Sequence, residues 1–352
     1  MRFFQHVVEF SDRDGIGNDV IGLQNRFLQE NHSAFIVTPK SNTKIYHKQI
    51  ISPENLPEFQ KSDVHILHYG GMGYPVDLFL NIRGKKVLKY HNITPPFFFR
   101  NYLDSEIYKD FQITYEKSIF ELETLLNTID EVWYDSVFNR NSLMEEITVS
   151  NKNLIEKIVP ISFLPGSRGK SDSYFPYRLI TVSRWVPHKK FEDLILILAY
   201  LKKIDSRYEL ILLGKQSSIF EKYKKYLDDL IRDLDLEDSI SWIENTGDEE
   251  KIFYYNSSLA FLSMSEHEGF GVPILEAFQS GIPVLAFSAG AVRETMRGGG
   301  VLIHKKEIPL IAEFVHRLQA DPDLRMKLVS NQFRAFEYYR QFRFSDLWRN
   351  EE

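Results

Sequence analysis

The sequence predicts an α/β protein made of two doubly wound, parallel-sheet domains facing a central cleft. Three observations carry this. Short, β-rich apolar runs alternate with longer amphipathic stretches, the pattern of strands joined by crossover helices. The alternation breaks once, at SFLPGSRGKSDSYFPYR (residues 162–178), where Pro, Gly and Ser gather without periodicity, and then restarts. The chain has 352 residues, enough for two buried cores. Ligands of such sheets bind outside the carboxyl ends of the strands, so the expected site is the cleft.

In order, RFFQHVVEF reads as the first strand and DVIGLQNRFLQEN as the first helix. HSAFIVTP, DVHILHY, KKVLKYH and EVWY read as buried strands. The long aromatic stretch SEIYKDFQITYEKSIFELETLLNTID between the last two is helical, and EKIVPISF closes the half. After the linker, RLITVS, YELILLG, SISWI, LAFLSM and IPVLAF are strands. KFEDLILILAYLKK, SIFEKYKKYLDDLIRDL, KIFYYNSS and PILEAFQS are helices. The expected boundaries are 1–163 for the first domain and 164–334 for the second. A helical, aromatic tail, 335–352 (FEYYRQFRFSDLWRN and the residues around it), is expected to pack back on the first domain.

The formal charge is −6 with a pI near 6.0, so nothing argues for a nucleic-acid partner. With no cysteine there is neither a disulfide framework nor a thiolate site. MRFFQHVVEF lacks the features of a signal peptide, and nowhere do 18 apolar residues run together. The Asn-x-Ser/Thr matches at Asn31, Asn92 and Asn256 therefore carry no meaning, and a cytoplasmic location is expected.

The chemistry concentrates in SEHEGFGVPILEAF (265–278). Pro273 suits the first turn of a helix and Gly281 its C-terminal cap, which predicts a helix over 273–280. Gly269 and Gly271 let the main chain approach a ligand, and the unpaired N–H groups of Gly271 and Val272 favour an anion. Glu268 before the helix and Glu276 within it flank that stretch with acceptors for hydroxyls. A sugar–diphosphate–ribose has the same layout of hydroxyls, anion, hydroxyls. For Glu276 taken alone, complementing the helix dipole is the plainer explanation.

EGFGVPILEAFQSGIPVLAF resembles the signature of family 4 retaining glycosyltransferases, whose two-Rossmann architecture is the GT-B fold. The Glu-x7-Glu spacing, the internal glycines and the following Gly-x-Pro-Val all match. The resemblance implies that Glu268 contacts the donor sugar and Glu276 the ribose, with Gly269, Phe270, Gly271 and Val272 lining the donor. TVSRWVPHKKFED is similar to the family's Gly-Arg-x-x-x-x-Lys pattern, with Ser183 where Gly is common. That similarity makes Arg184 and Lys189 a clamp on the diphosphate, acting where charge develops; as bare cations they read equally as solvated surface groups. YHNITPP resembles the segment that places a histidine, here His91, near the donor sugar, with Asn92 and Thr94 on the acceptor side. SDRDGIGNDVIGL resembles the Gly-rich first loop and nominates Gly15 and Gly17. SAGAVRETMRGGGVLI nominates Gly290 and, more weakly, Glu294.

The glycines Gly15, Gly17 and Gly22 have the wrong spacing for a nicotinamide dehydrogenase. Asp12 to Asp14 forms an Asp-x-Asp pattern that also occurs at Asp233 and Asp321, and no metal or other cofactor is expected, since GT-B enzymes generally need none. Phe97 to Phe99 read either as core or as an acceptor- or membrane-facing surface. The expected function is retaining transfer of a sugar from a nucleotide-diphosphate donor to a hydroxyl of a glycan or lipid-linked acceptor. Surface polysaccharide or glycolipid assembly is the expected setting, with peripheral docking at the inner membrane face left open. The alternatives are a phosphorylase or disaccharide synthase on the same scaffold, or a non-catalytic nucleotide-sugar or glycan-binding protein. The resemblance is fullest from Arg178 to Ile303.

Overall fold

The structure, a computed structural model, describes residues 1–11, 15–43, 45–162, 173–342 and 347. Its contacts divide the chain into two units. The first comprises Met1–Pro95, Asp110–Leu164 and the chain from Tyr339; the second comprises Pro96–Lys109 and Pro165–Tyr338.

The first unit runs β1 (Arg2–His6), α1 (Gly15–Gln29), β2 (Ser33–Val37), β3 (Ile50–Ile51), β4 (Val64–Tyr69), α2 (Val76–Asn81), β5 (Lys85–Tyr90), α3 (Ser105–Leu126), β6 (Glu131–Tyr134), α4 (Val137–Met144) and β7 (Ile155–Ile158); the first residues of α3 group with the second unit. Among the described residues its seven strands are all parallel in the order β3-β2-β1-β4-β5-β6-β7, so the order reverses between β1 and β4. Strands buried on both faces read as continuous runs, and β4 and β6 are buried at every position. Phe3, Leu23, Val87 and Trp133 form a core on one side; Phe4, Leu67, Leu88 and Leu122 belong to another.

The second unit runs β8 (Phe175–Val182), α5 (Phe191–Ile204), β9 (Glu209–Gly214), α6 (Glu221–Asp233), β10 (Ile240–Glu244), α7 (Asp248–Ser257), β11 (Ser258–Ser263), α8 (Val272–Ser280), β12 (Val284–Phe287), α9 (Val292–Met296), β13 (Val301–Ile303), α10 (Ile308–Ala320) and α11 (Pro322–Gln341). Among the described residues its six parallel strands are ordered β10-β9-β8-β11-β12-β13, reversing between β8 and β11. α5 shows why these segments fold as they do. Phe191, Leu194, Ile195, Leu198 and Leu201 recur at helical spacing and are buried, each contributing roughly 1.5–3 kcal/mol. Glu192 and Asp193 open the helix and Lys202 and Lys203 close it, as the dipole favours.

Several boundaries differ from expectation. The linker read over 162–178 overlaps β8, which starts at Phe175 because Ser258 pairs there; 163–172 lie outside the described residues. β1 stops at His6 rather than Phe10, the last position paired with β4, although Val7 and Phe10 stay buried. α1 starts at Gly15, so both nominated glycines sit in its first turn and not in a loop. Asp12 to Asp14 lie outside the described residues, as do 343–346 and 348–352 of the tail; FEYYRQ forms the end of α11.

Candidate active site

In the second unit, β8 and β11 flank the point where the strand order reverses, so the segments leaving their carboxyl ends lie side by side. The segment after β8 carries Arg184 and Lys189, and the one after β11 carries Glu268. Two main-chain contacts tie them: the Glu266 N–H donates to the His188 carbonyl at 2.8 Å, and the Ser265 hydroxyl donates to the same oxygen at 3.4 Å. The Lys189 ammonium then donates to Glu268 Oε1 at 2.6 Å, with the two side chains 14% and 15% exposed. Arg184 is exposed.

α8 begins at Val272, one residue before the expected start, with Pro273 in its first turn, and Gly281 caps it at φ 75°. Gly271 takes φ 97°, which a side chain would resist, and so turns the chain into the helix. Phe270 and Val272 are buried. Gly290, in the segment after β12, takes φ 56°, and a Cβ there would lie 2.3 Å from the Glu268 carbonyl oxygen. The neighbouring Ala291 N–H donates to that oxygen at 2.8 Å. Gly290 is therefore the close approach that fixes the Glu268 backbone. Glu294 is half-buried in α9.

Glu276 does not point into solvent. Its carboxylate accepts from Lys251 at 2.8 Å and from the Tyr255 hydroxyl at 3.0 Å. Burial and the Glu276 charge push the Tyr255 phenol well above its ordinary value, so it stays a donor. The sequence reading missed both partners. They are four apart on α7, one helical face, and that spacing was the available signal.

Lys189 and Glu268 each follow a buried histidine. Burial, with Lys189 adding to it, pulls the His267 imidazole down to about 4 against the pull of Glu268. Burial lowers His188 well below its usual range, with Lys189 and His267 acting the same way. Both rings are neutral at pH 7. Phe98 packs against them at ring separations of 5.4 Å (His267) and 6.0 Å (His188), and Phe99 lies 5.7 Å from His188. The aromatic triplet thus divides: Phe99 is core, Phe97 is 62% exposed, and Phe98 supports the histidines.

In the first unit, His91 follows β5 and Asn92 takes φ 73°. Both His91 nitrogens have protein partners: Nδ1 meets Asp135 Oδ2 at 2.9 Å and Nε2 meets His68 Nδ1 at 2.9 Å. Direct contact with a sugar would require exchanging one of them. Gly15 is exposed with open space around it, whereas Gly17 is buried. Sequence reasoning missed Asp19, His68, Lys89 and Asp135, all buried around His91. A lysine inside the apolar strand KKVLKYH was the signal, since buried lysines are paired.

The second unit brings a cation–carboxylate pair, a second carboxylate and a glycine-turned helix start to the switch point of a doubly wound sheet. Such a site suits an anionic, hydroxyl-bearing ligand. Residues 173–334 match the model of the family described as "Glycosyl transferases group 1". The GDP-mannose:cellobiosyl-diphosphopolyprenol alpha-mannosyltransferase of Xanthomonas oryzae pv. oryzae is 25% identical over 185 residues, 51% of this chain and 46% of that protein. The chain spans about half the length of the curated relatives it matches. Among solved structures, S. aureus TarM with UDP and alpha-GlcNAc-glycerol superposes with a TM-score of 0.70 at 13% identity, covering 96% of this chain and 97% of that one. Anabaena HepE with UDP and glucose gives 0.70 at 15% identity, covering 98% and 95%. The likeness to these structures is one of fold, and the fold is GT-B. No helix among the described residues is long and apolar enough to cross a membrane.

Proposed function

We propose that the protein is a retaining glycosyltransferase that moves a sugar from a nucleotide-diphosphate donor to a hydroxyl of a glycan or lipid-linked acceptor. The family match over 173–334 supports this reading. The observation that carries it is the Lys189–Glu268 pair at 2.6 Å beside the glycine-turned start of α8. Lys189 and Arg184 take the donor diphosphate, Glu268 the sugar hydroxyls and Glu276 the ribose. Gly269, Phe270, Gly271 and Val272 line the donor, and Gly290 holds the Glu268 backbone. Within the first unit, Gly15 and Gly17 at the start of α1 and His91 after β5 are our candidates for substrate contacts.

In the reaction, the bond from the anomeric carbon to the diphosphate oxygen breaks. The acceptor oxygen bonds to the same face of that carbon, and its proton passes to the leaving phosphate. Positive charge from Lys189 and Arg184 stabilises the diphosphate as its negative charge grows, where preorganised charge counts most. With two cations at hand no metal is required, and transfer should survive a chelator. Surface polysaccharide or lipid-linked glycan assembly, from the cytoplasmic side, is the setting we favour.

The test is a thermal-shift screen against GDP-mannose and UDP- and ADP-sugars, followed by transfer assays with the donor that stabilises. Binding of one nucleotide class at 100 times its Kd should add about 2.7 kcal/mol of stability. Lys189→Ala should retain the fold and lose transfer. Stabilisation by none of the donors, or full activity in that variant, would refute the assignment; sugar release driven by phosphate alone would favour a phosphorylase.

A further inference from the structure

We propose that Lys251 and Tyr255 on α7 are positioning residues. They aim the Glu276 carboxylate so that it takes both hydroxyls of a ribose at once, which makes the site selective for ribonucleotides over their 2′-deoxy counterparts. This rests on the transferase reading, from which it takes a nucleoside diphosphate as the ligand.

Glu276 lies four residues beyond the glycine-turned start of α8 at Val272, about 6 Å along the helix axis. A nucleotide spans a comparable distance from its phosphates to its ribose hydroxyls. The carboxylate is held by two side chains: Lys251 Nζ donates to Oε1 at 2.8 Å and the Tyr255 hydroxyl donates to Oε2 at 3.0 Å. Among the described residues these are its only partners, one for each oxygen.

The two partners act differently. A phenol has one hydrogen to give, and the Tyr255 oxygen lies 3.0 Å from Glu276 against 3.3 Å from the Pro273 carbonyl. The hydrogen goes to the nearer carboxylate. Tyr255 is buried, so packing of its ring sets the direction of that bond. Lys251 is half-buried, on a flexible stem, and covers the other oxygen. The terminal torsion of a glutamate is broad, so a carboxylate held at one oxygen can still turn. Donors on both oxygens fix its plane.

Of about four acceptor positions on a carboxylate, this leaves one on each oxygen. Both donors stand on α7, one helical turn apart, so the positions left are those that α7 does not cover. Two acceptors side by side in a fixed plane match two cis hydroxyls on adjacent carbons, as ribose carries. A 2′-deoxyribose offers one hydroxyl and leaves the second acceptor unmet in a largely desolvated place. A carboxylate able to turn would meet one hydroxyl almost as well as a pair. The discrimination therefore depends on the fixed plane, which Lys251 and Tyr255 supply.

The test is calorimetry on the full chain with UDP, GDP and ADP, each paired with its 2′-deoxy counterpart, for the wild type, Tyr255→Phe, Lys251→Met and Glu276→Ala. Base and diphosphate are common to each pair, so the ratio of Kd values reports the ribose contact. The wild type should favour the ribonucleotide by about tenfold or more, the worth of a hydrogen bond to a carboxylate. Tyr255→Phe should bring that ratio to about threefold or less, chiefly by weakening the ribonucleotide, with Lys251→Met acting in the same direction and Glu276→Ala abolishing the preference. A role in packing alone would weaken both members of a pair alike; an unchanged ratio in the two α7 variants would therefore overturn the proposal, as would a wild-type ratio near one. Loss of preference in Glu276→Ala alone would keep Glu276 on the ribose and remove the positioning role. Binding of none of UDP, GDP and ADP would refute the transferase reading itself, and this inference with it. Should Tyr255→Phe not fold, Lys251→Met, at a half-buried position, decides.

Discussion

Gly290→Ala separates the cost of a left-handed backbone from the cost of colliding with the site. Gly290 and Gly298 both take positive φ, 56° and 80°, but a Cβ at 298 meets nothing within 4 Å. At 290 it meets the Glu268 carbonyl oxygen at 2.3 Å and the Glu268 nitrogen at 2.9 Å, main-chain atoms that cannot swing aside. An L-residue in this region costs about 1–2 kcal/mol, and that is the whole expected loss for Gly298→Ala. Gly290→Ala adds an overpacking cost of about 1–3 kcal/mol, because the Glu268 segment must retreat by about 1 Å to reach ordinary contact. At 2–4 °C per kcal/mol, the second variant should melt roughly 2–12 °C below the first. If Glu268 grips the donor sugar, a displacement of that size should also lower transfer by roughly a hundredfold. The assays are paired thermal melts and initial rates. Equal melting temperatures and equal rates in the two variants would show that the close approach of Gly290 to Glu268 does not matter.

In Gly22→Ala, the new Cβ would lie 1.7 Å from the Ser162 carbonyl oxygen, so the urea midpoint should fall by an amount equivalent to about 3 kcal/mol; a loss under about 1 kcal/mol would mean that α1 and residue 162 are not in contact. His267 and His65 are both lowered to about 4 by burial, so below 6.5 the unfolded chain binds protons that the folded chain refuses. Stability should therefore be full above pH 6.5 and fall by up to about 1.4 kcal/mol per pH unit for each group down to about 4; His267→Gln should flatten that slope, and an unchanged slope would refute the assignment. Glu268→Gln frees Lys189 from its 2.6 Å pair, so the nucleoside diphosphate should bind up to about tenfold tighter by calorimetry while transfer falls; weaker binding would place Lys189 away from the phosphates.

The fold was legible because its signals are local. Pro273 and Gly281 mark α8 to within a residue, since each answers a backbone requirement that few residues meet. β3, of two residues, has no period to detect, and α9, of five, is shorter than two turns. In the site, Lys189 and Glu268 lie 79 positions apart, and no spacing rule predicts that they touch. Family resemblance nominated each separately; the reversal of strand order between β8 and β11 brings their segments together. The network around His91 was less visible still. Its members come from α1, β1, β4, β5 and the residue after β6, and no sequence spacing links them. Each by itself looks like an ordinary buried polar group.

The nominated carboxylates share a feature that bears on how such a site waits for its ligand. Glu268 is paired with Lys189, Glu276 with Lys251 and Tyr255, and neither side chain is more than 15% exposed. A desolvated carboxylate without a partner would tend to take up a proton and lose its power as an acceptor. Pairing offsets the cost of burying the group and holds its direction. A carboxylate has about four lone-pair sites, and one or two partners leave room for ligand hydroxyls. An arriving diphosphate would then compete with Glu268 for Lys189 instead of meeting an uncompensated cation. Exchange of this kind lowers the net gain from the phosphates and shifts discrimination to the hydroxyls, whose hydrogen bonds only a correctly shaped sugar and ribose can complete.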